Sequence, residues 1–403
     1  MKIGLITGEY PPQQGGVGDF TRELALALTV AGHEAHVITC CGKHAGGNMT
    51  AREDGIIVHR VISSWGIACW KQVANVASHE RFDVLNIQYE PAAYAMFIGV
   101  NFLPSVWIRR KLNTPIVTTF HDLLVPYLFP KAGSLRWKVV EYLAYHSDAA
   151  IVTNDEDRAR LSNLDAKSPI SSLQVVPIGS NIDPASAGKF DRAAERTRWG
   201  IQPTEQLLGY FGFLNLSKGG SDLMQALRIL SDRGMRIKLL LIGGRIGSSD
   251  PANAEYAAQV ERLIELLGVK DRVITTGYLG PQEVSQALLT CDALVLPYVD
   301  GASLRRGSLL AAIAHGRAIV TTEPLYPIEG LQHEVSVVYV PPSDPPALAD
   351  SVQRVLQDAA LRHRLQTNVS ETAKLYTWDR IALQTAEVLE GALRRARHAM
   401  QAT

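Results

Sequence analysis

Residues 295–322, VLPYVDGASLRRGSLLAAIAHGRAIVTT, constrain the fold most, because one run holds a strand, a polar turn, a helix and a second strand. Val295-Leu296-Pro297 closes a short apolar segment, Asp300-Gly301-Ala302-Ser303 supplies turn and N-cap chemistry, and residues 308–315 are Ala- and Leu-rich with helical spacing. Gly316 ends the helix and Ala318-Ile319-Val320 resumes as a buried strand, so the loop lies at a strand's carboxyl end. Open α/β sheets bind ligands at that edge. Backbone N–H groups behind Ser303, followed by Arg305 and Arg306, suit an anion such as a diphosphate; a capped helix with two solvated arginines has the same pattern.

The same alternation runs through the chain twice. Strands are expected at residues 3–7, 35–39, 56–61, 84–88, 116–120, 149–153 and 173–176, then at 207–211, 237–242, 272–275, 293–296, 318–320 and 336–339. Helical sequence separates most of them, which predicts mainly parallel sheets. Between the series, residues 177–188 are rich in proline, glycine and small polar residues, as a linker is. The helical stretches 345–357, 359–375 and 378–400 close the chain.

Forty basic and forty acidic residues cancel, so no global charge favours nucleic acid. Cys40, Cys41, Cys69 and Cys291 have neither metal-ligand spacing nor the density of a disulfide scaffold, which fits a reducing cytosol. The first strand follows Met1 at once, leaving no signal peptide, and no apolar run is long enough to span a membrane. Residues 92–112 are apolar and run into Arg109-Arg110-Lys111, which reads as a core helix or as a peripheral contact with the inner face of the membrane.

Candidate ligand groups gather at strand ends. Gly15-Gly16-Val17-Gly18 precedes the helix 19–31 and can cradle phosphate. Thr21 stands where a dinucleotide fingerprint needs its third glycine, and Cys40-Cys41 follows the next strand in place of a ribose-binding carboxylate; a nicotinamide or flavin enzyme is disfavoured. Gln88, Tyr89 and Glu90 follow one strand and His121 and Asp122 another, as candidates for sugar and acceptor hydroxyls or as plain helix caps. In the second series Lys218-Gly219-Gly220 opens a helix in the manner of a phosphate loop, while Gly243-Gly244 and Tyr278 follow two further strands.

Taken in order, Gly15-Gly16-Val17-Gly18, Thr119-Phe120-His121-Asp122, Val176-Pro177-Ile178-Gly179-Ser180-Asn181, Lys218-Gly219, Gly277-Tyr278 and Ala312-Ile313-Ala314-His315-Gly316 resemble the motifs of GT-B glycosyltransferases of family 4. The resemblance covers nearly the whole chain. It implies two Rossmann-like βα domains facing a central cleft: residues 1–180 on the acceptor side, completed by a last helix crossing back at 376–403, and residues 189–375 on the donor side. It also implies a retaining, metal-independent transferase with no cofactor, moving a sugar from a nucleotide-diphosphate donor to a glycan, lipid-linked or small-molecule acceptor. By position, His121 and Lys218 carry the chemistry. Gly15, Gly16, Gly18, Lys218, Ser303, Leu304, Arg305, Arg306 and Ser308 would hold the diphosphate; Asp300, Gly243, Gly244 and Tyr278 the sugar or base; Gln88, Tyr89, Glu90 and Asp122 the acceptor. Retention in such enzymes is attributed to front-face attack, the leaving phosphate helping to deprotonate the acceptor.

Three positions depart from the family. Its Glu-x7-Glu pair falls on Ser303 and Ala311, and the arginine after the glycine of the second-domain loop falls on Phe213. Arg305 or Arg306 is then expected to restore the positive charge, and Asp300 to bind sugar hydroxyls. The competing reading is a non-catalytic nucleotide-sugar or glycan-binding protein that kept the fold.

Overall fold

Runs such as Ile3-Gly4-Leu5-Ile6 and Leu239-Leu240-Leu241-Ile242 have no polar face, so they are stable only as strands covered on both sides. The computed structural model describes residues 1–13, 15–41, 49–109, 113–123, 133–162, 170, 172–185, 190–243 and 251–401, and places these runs on interior strands of two sheets. The chain divides into one unit of Met1–Gly179 with Trp378–Thr403, and another of Ser180–Thr377.

The first unit runs β1 (Lys2–Thr7), α1 (Gly16–Val30), β2 (Glu34–Cys40), β3 (Met49–Glu53), β4 (Ile56–Ile62), α2 (Ala68–Glu80), β5 (Val84–Tyr89), α3 (Leu103–Arg109), β6 (Ile116–Phe120), α4 (Gly133–His146), β7 (Ala149–Val152), α5 (Asp155–Ser162) and β8 (Leu173–Val175). Its sheet order is β3-β4-β2-β1-β5-β6-β7-β8, parallel except where β3 meets β4. Residues 92–112 do not form one helix. Ala95 and Met96 have φ of 50° and 63°, a left-handed pair that breaks the helix, and α3 begins only at Leu103. The basic residues Arg110 and Lys111 lie outside the described residues.

The second unit runs α6 (Arg192–Arg198), β9 (Gln206–Phe211), α7 (Gly220–Asp232), β10 (Ile237–Ile242), α8 (Pro251–Leu266), β11 (Val273–Thr275), α9 (Pro281–Thr290), β12 (Ala293–Leu296), α10 (Gly307–Ala314), β13 (Ile319–Thr322), β14 (Val338–Val340), α11 (Pro345–Gln357) and α12 (Ala359–Ala373). Its sheet is parallel throughout, in the order β11-β10-β9-β12-β13-β14. Leu223, Leu227 and Leu230 of α7 pack with Leu348, Val352 and Val355 of α11 over one face.

The last helix, α13 (Trp378–Gln401), belongs to the first unit. Ile381, Ala382, Ala386, Leu389 and Ala392 recur at helical spacing and join Phe20, Leu24 and Leu28 of α1 over Ile3, Leu5 and Val84. Cys69 and Val73 of α2 and Leu143 of α4 cover the other face. No helix among the described residues is long and apolar enough to cross a membrane.

Candidate active site

In the second unit the chain steps from β9 outward through β10 and β11, then returns to β12 beside β9 and steps the other way. Such a reversal leaves a crevice at the carboxyl ends of the two central strands. The loops after β9 and β12 both start there, and they are tied together. Val299 N–H donates to the Ser217 carbonyl at 3.0 Å. Gly219, at φ 66°, comes so near Pro297 that a Cβ would stand 1.8 Å from its carbonyl oxygen, so only glycine fits.

Asn215 shapes the turn before α7. Its Oδ1 accepts from Lys218 N–H at 3.1 Å and from the Ser217 hydroxyl at 3.0 Å. This carries the Lys218 ammonium over Gly212, where a Cβ would stand 2.5 Å from Nζ. Burial first, and then the nearby Arg306 charge, pull the Lys218 ammonium down to about 8. Arg306 reaches the same loop from the other side: Nη1 donates to the Ser217 hydroxyl at 3.0 Å, and Nη2 lies 2.6 and 2.5 Å from the two Asp300 oxygens. Its guanidinium also stacks 5.2 Å above the Tyr298 ring.

Several expectations change here. The helix α10 begins at Gly307 with Arg306 at its N-cap, not behind Ser303. The Ser303 carbonyl accepts from Arg306 N–H at 3.0 Å and its hydroxyl from Arg305 N–H at 3.4 Å, a local turn that competes with helix. Ser303, Leu304 and Arg305 therefore form that turn, and the N–H groups of Gly307 and Ser308 are the helix-start donors. The Ser308 side chain is buried on the Tyr298 hydroxyl at 2.8 Å. Ala311 is fully buried, so the second missing carboxylate falls on the inner face of α10. Asp300, expected to meet sugar hydroxyls, holds Arg306. Gly243 pairs with Gly277 across an isolated bridge at the ends of β10 and β11, and Tyr278 beside it is exposed; Gly244 lies outside the described residues. Asn215 carried a legible capping signal three residues before Lys218; nothing in the sequence marked Ser217 or Tyr298 as partners of this loop.

In the first unit α1 starts at Gly16, three residues earlier than expected, with Gly15 as its N-cap. Two of the amides expected to cradle phosphate are already used: Glu9 Oε1 accepts from Val17 N–H at 3.0 Å and Gly18 N–H at 3.3 Å. Gly15, Gly16 and Gly18 thus belong to a helix start that the chain's own carboxylate partly satisfies.

His121, just past β6, ends a polar chain inside the same unit. Asn86 Nδ2 donates to the Val117 carbonyl at 3.2 Å, which turns its Oδ1 to accept from Gln88 Nε2. Gln88 then presents Oε1 to His121 Nε2 at 2.9 Å, so that nitrogen carries the proton. Burial holds the imidazole neutral, at about 3, and Phe20 meets it edge-on at 4.5 Å. Gln88 and Tyr89 are buried, and Tyr89 accepts from Asn101 Nδ2 at 2.8 Å, so their acceptor assignment gives way to internal roles. Glu90 Oε2 accepts from Ala93 N–H at 2.8 Å, and burial raises its carboxyl. Asp122, also part-buried, follows His121. Elsewhere in this unit His36, His59 and Glu80 lie within 4.8 Å of one another. The two rings bond each other at 2.9 Å, while Glu80 holds Lys2 at 2.7 Å, so the resident cation there is an ammonium.

Residues 14–183 match the model of Glycosyltransferase Family 4, and residues 191–372 that of Glycosyl transferases group 1. An uncharacterized glycosyltransferase of Methanocaldococcus jannaschii is 24% identical, over 98% of this chain and 99% of its own. D-inositol 3-phosphate glycosyltransferase of Corynebacterium urealyticum is 29% identical over 96% of this chain and 95% of its own. Anabaena HepE, solved with UDP-glucose, shares the fold with a TM-score of 0.72 at 18% identity, covering 97% of this chain and all of that one. With both halves matched, each on its own parallel sheet, the chain belongs to the family 4 glycosyltransferases of the GT-B fold and is a hexosyltransferase-type enzyme.

Proposed function

We propose that the enzyme takes its sugar from a nucleotide-diphosphate donor held at Lys218 and transfers it, with retention and without a metal, to a hydroxyl acceptor. The observation that carries this reading is the Lys218 ammonium itself. It sits at the switch point of the second sheet, and among the described residues no carboxylate forms an ion pair with it. A part-buried ammonium is costly unless an anion joins it, and a diphosphate supplies that charge.

During transfer the acceptor oxygen bonds to the anomeric carbon as its bond to the diphosphate breaks. The acceptor proton passes to the leaving phosphate oxygen, and Lys218 offsets the charge that grows there. Neutral His121 is suited to a hydrogen bond with a sugar hydroxyl and not to proton transfer near pH 7, because its ring stays unprotonated. Glu90 and Asp122, at the carboxyl ends of β5 and β6, are the proposed acceptor-side groups.

The test is incubation with UDP-, GDP-, ADP- and dTDP-sugars in EDTA, following release of the nucleoside diphosphate and the anomeric configuration of the product. The UDP series is the first to try, since the HepE complex holds UDP-glucose. Turnover in EDTA with a retained anomer is expected; inversion, or a strict metal requirement, would overturn the reading.

A further inference from the structure

We infer that His36, His59 and Glu80 form a binding site for one divalent transition ion, such as Zn²⁺, whose place the Lys2 ammonium keeps. Strand alternation builds the site. Ala35 and Val37 of β2 pack with α1, so His36, like Ile38, faces the other side, where α2 covers the sheet. His59 of β4 pairs in register with Ile38, which puts both rings on that face. Glu80 ends α2, and Lys2 opens β1. The transfer chemistry belongs to the opposite edge, since His121 follows the carboxyl end of β6 while Lys2 and His36 stand near the amino ends of β1 and β2.

The outer contacts of both rings are those of metal-bound histidines. His36 Nε2 lies 2.9 Å from Glu34 Oε1, and a carboxylate only accepts, so that nitrogen carries the proton and Nδ1 turns a bare lone pair inward. Thr50, opposite His59 on β3, places its hydroxyl 3.1 Å from His59 Nδ1, where it accepts that proton and leaves Nε2 bare as well. The inner nitrogens are 2.9 Å apart, and Glu80 Oε2 stands 3.9 Å from His36 Nδ1. All three ligand atoms fall within 4.8 Å of one another. A tetrahedral ion with bonds of about 2.0–2.2 Å spaces its ligands about 3.4 Å apart, so small shifts admit it, with water in the fourth position. Lys2 Nζ bonds Glu80 Oε2 at 2.7 Å but also reaches Glu34 Oε1 at 3.2 Å, so it keeps one carboxylate when Glu80 turns to an ion. Two carboxylates against one ammonium leave the place negative, and two imidazoles with one carboxylate suit Zn²⁺, Ni²⁺ or Cu²⁺ and not Mg²⁺ or Ca²⁺.

The full chain, stripped with EDTA and returned to metal-free buffer, is titrated with Zn²⁺ by calorimetry and with Co²⁺ by absorbance. One equivalent is expected to bind, with the visible bands of four-coordinate Co²⁺ and no thiolate band in the near ultraviolet. A large excess of Zn²⁺ raises the thermal midpoint by about 5 °C. His59→Gln loses the equivalent, Glu80→Gln weakens it by about tenfold or more, and Lys2→Met tightens it severalfold by removing the competing ammonium. Melting in EDTA shows which variants fold, and Glu80→Gln, at the end of α2, keeps the test decisive if the histidine variant does not. Wild-type protein that binds no Zn²⁺ overturns the site. So does wild-type affinity in Glu80→Gln or His59→Gln, or a thiolate band that puts the ion on Cys40 and Cys41. Lys2→Met with wild-type affinity overturns the exchange with the ammonium.

Discussion

Gly219 and Pro297 meet backbone to backbone, on loops that leave neighbouring strands of the second sheet. Their contact sets the depth to which the Lys218 turn sinks against the β12–α10 loop. Gly219→Ala adds a Cβ at a left-handed φ and drives it into the Pro297 carbonyl. We expect a loss of about 2–4 kcal/mol in urea unfolding, larger than helix propensity alone predicts, together with weakened nucleotide binding. A variant as stable as wild type would show that the two loops can separate freely.

Lys218 gives nucleotide binding a pH signature. In the free protein its ammonium loses the proton near 8, well below the usual lysine value, whereas a bound diphosphate favours the charged form. Affinity should therefore be flat below that value and fall as pH rises through it, approaching about tenfold per unit. Calorimetry at pH 7 and pH 9 reads the difference, and Lys218→Met should bind weakly at both, with little change between them.

His59 makes the first unit acid-sensitive. Burial, and then the neighbouring His36, hold His59 at about 4; Lys2 and His79 act in the same direction and Glu80 against it. The unfolded chain takes up the proton first as pH falls, so this share of stability is complete above about pH 6.5 and is lost towards pH 4. By pH 5 the loss is about 2 kcal/mol. Thermal midpoints at pH 7 and pH 5 should differ less in His59→Asn than in the wild type.

Glu9 caps α1 with a carboxylate from eight residues before Val17. Removing it in Glu9→Ala strands two helix-start amides at a positive dipole end. The expected cost is about 1 kcal/mol, read by urea unfolding, and inorganic phosphate should recover part of it.

The strands were legible because burial on both sides leaves runs such as Val84-Leu85-Asn86-Ile87 with little polar relief. The β3 strand, Met49-Thr50-Ala51-Arg52-Glu53, was not: it is an antiparallel edge with no fully buried residue. Lys218 could be found from its glycines, since local sequence sets that turn. The seat of Arg306 could not, because its partner Ser217 meets it only after the distant strands β9 and β12 become neighbours. Ser303 misled for a related reason: a serine before a helix is a cap or a turn, and the capture of Arg306 by Asp300 accompanies the turn.

The packing of α13 on α1 also orders events on the ribosome. Phe20, Leu24 and Leu28 are made long before Ile381, Ala386 and Leu389, which cover the same apolar face. All of Ser180–Thr377 is synthesised in between. The second unit can close before α13 is made, but the first must carry an uncovered face until α13 follows. A released chain that stops before Trp378 would therefore pair a finished second unit with a first unit open to chaperones, and loss of α13 would damage the N-terminal sheet.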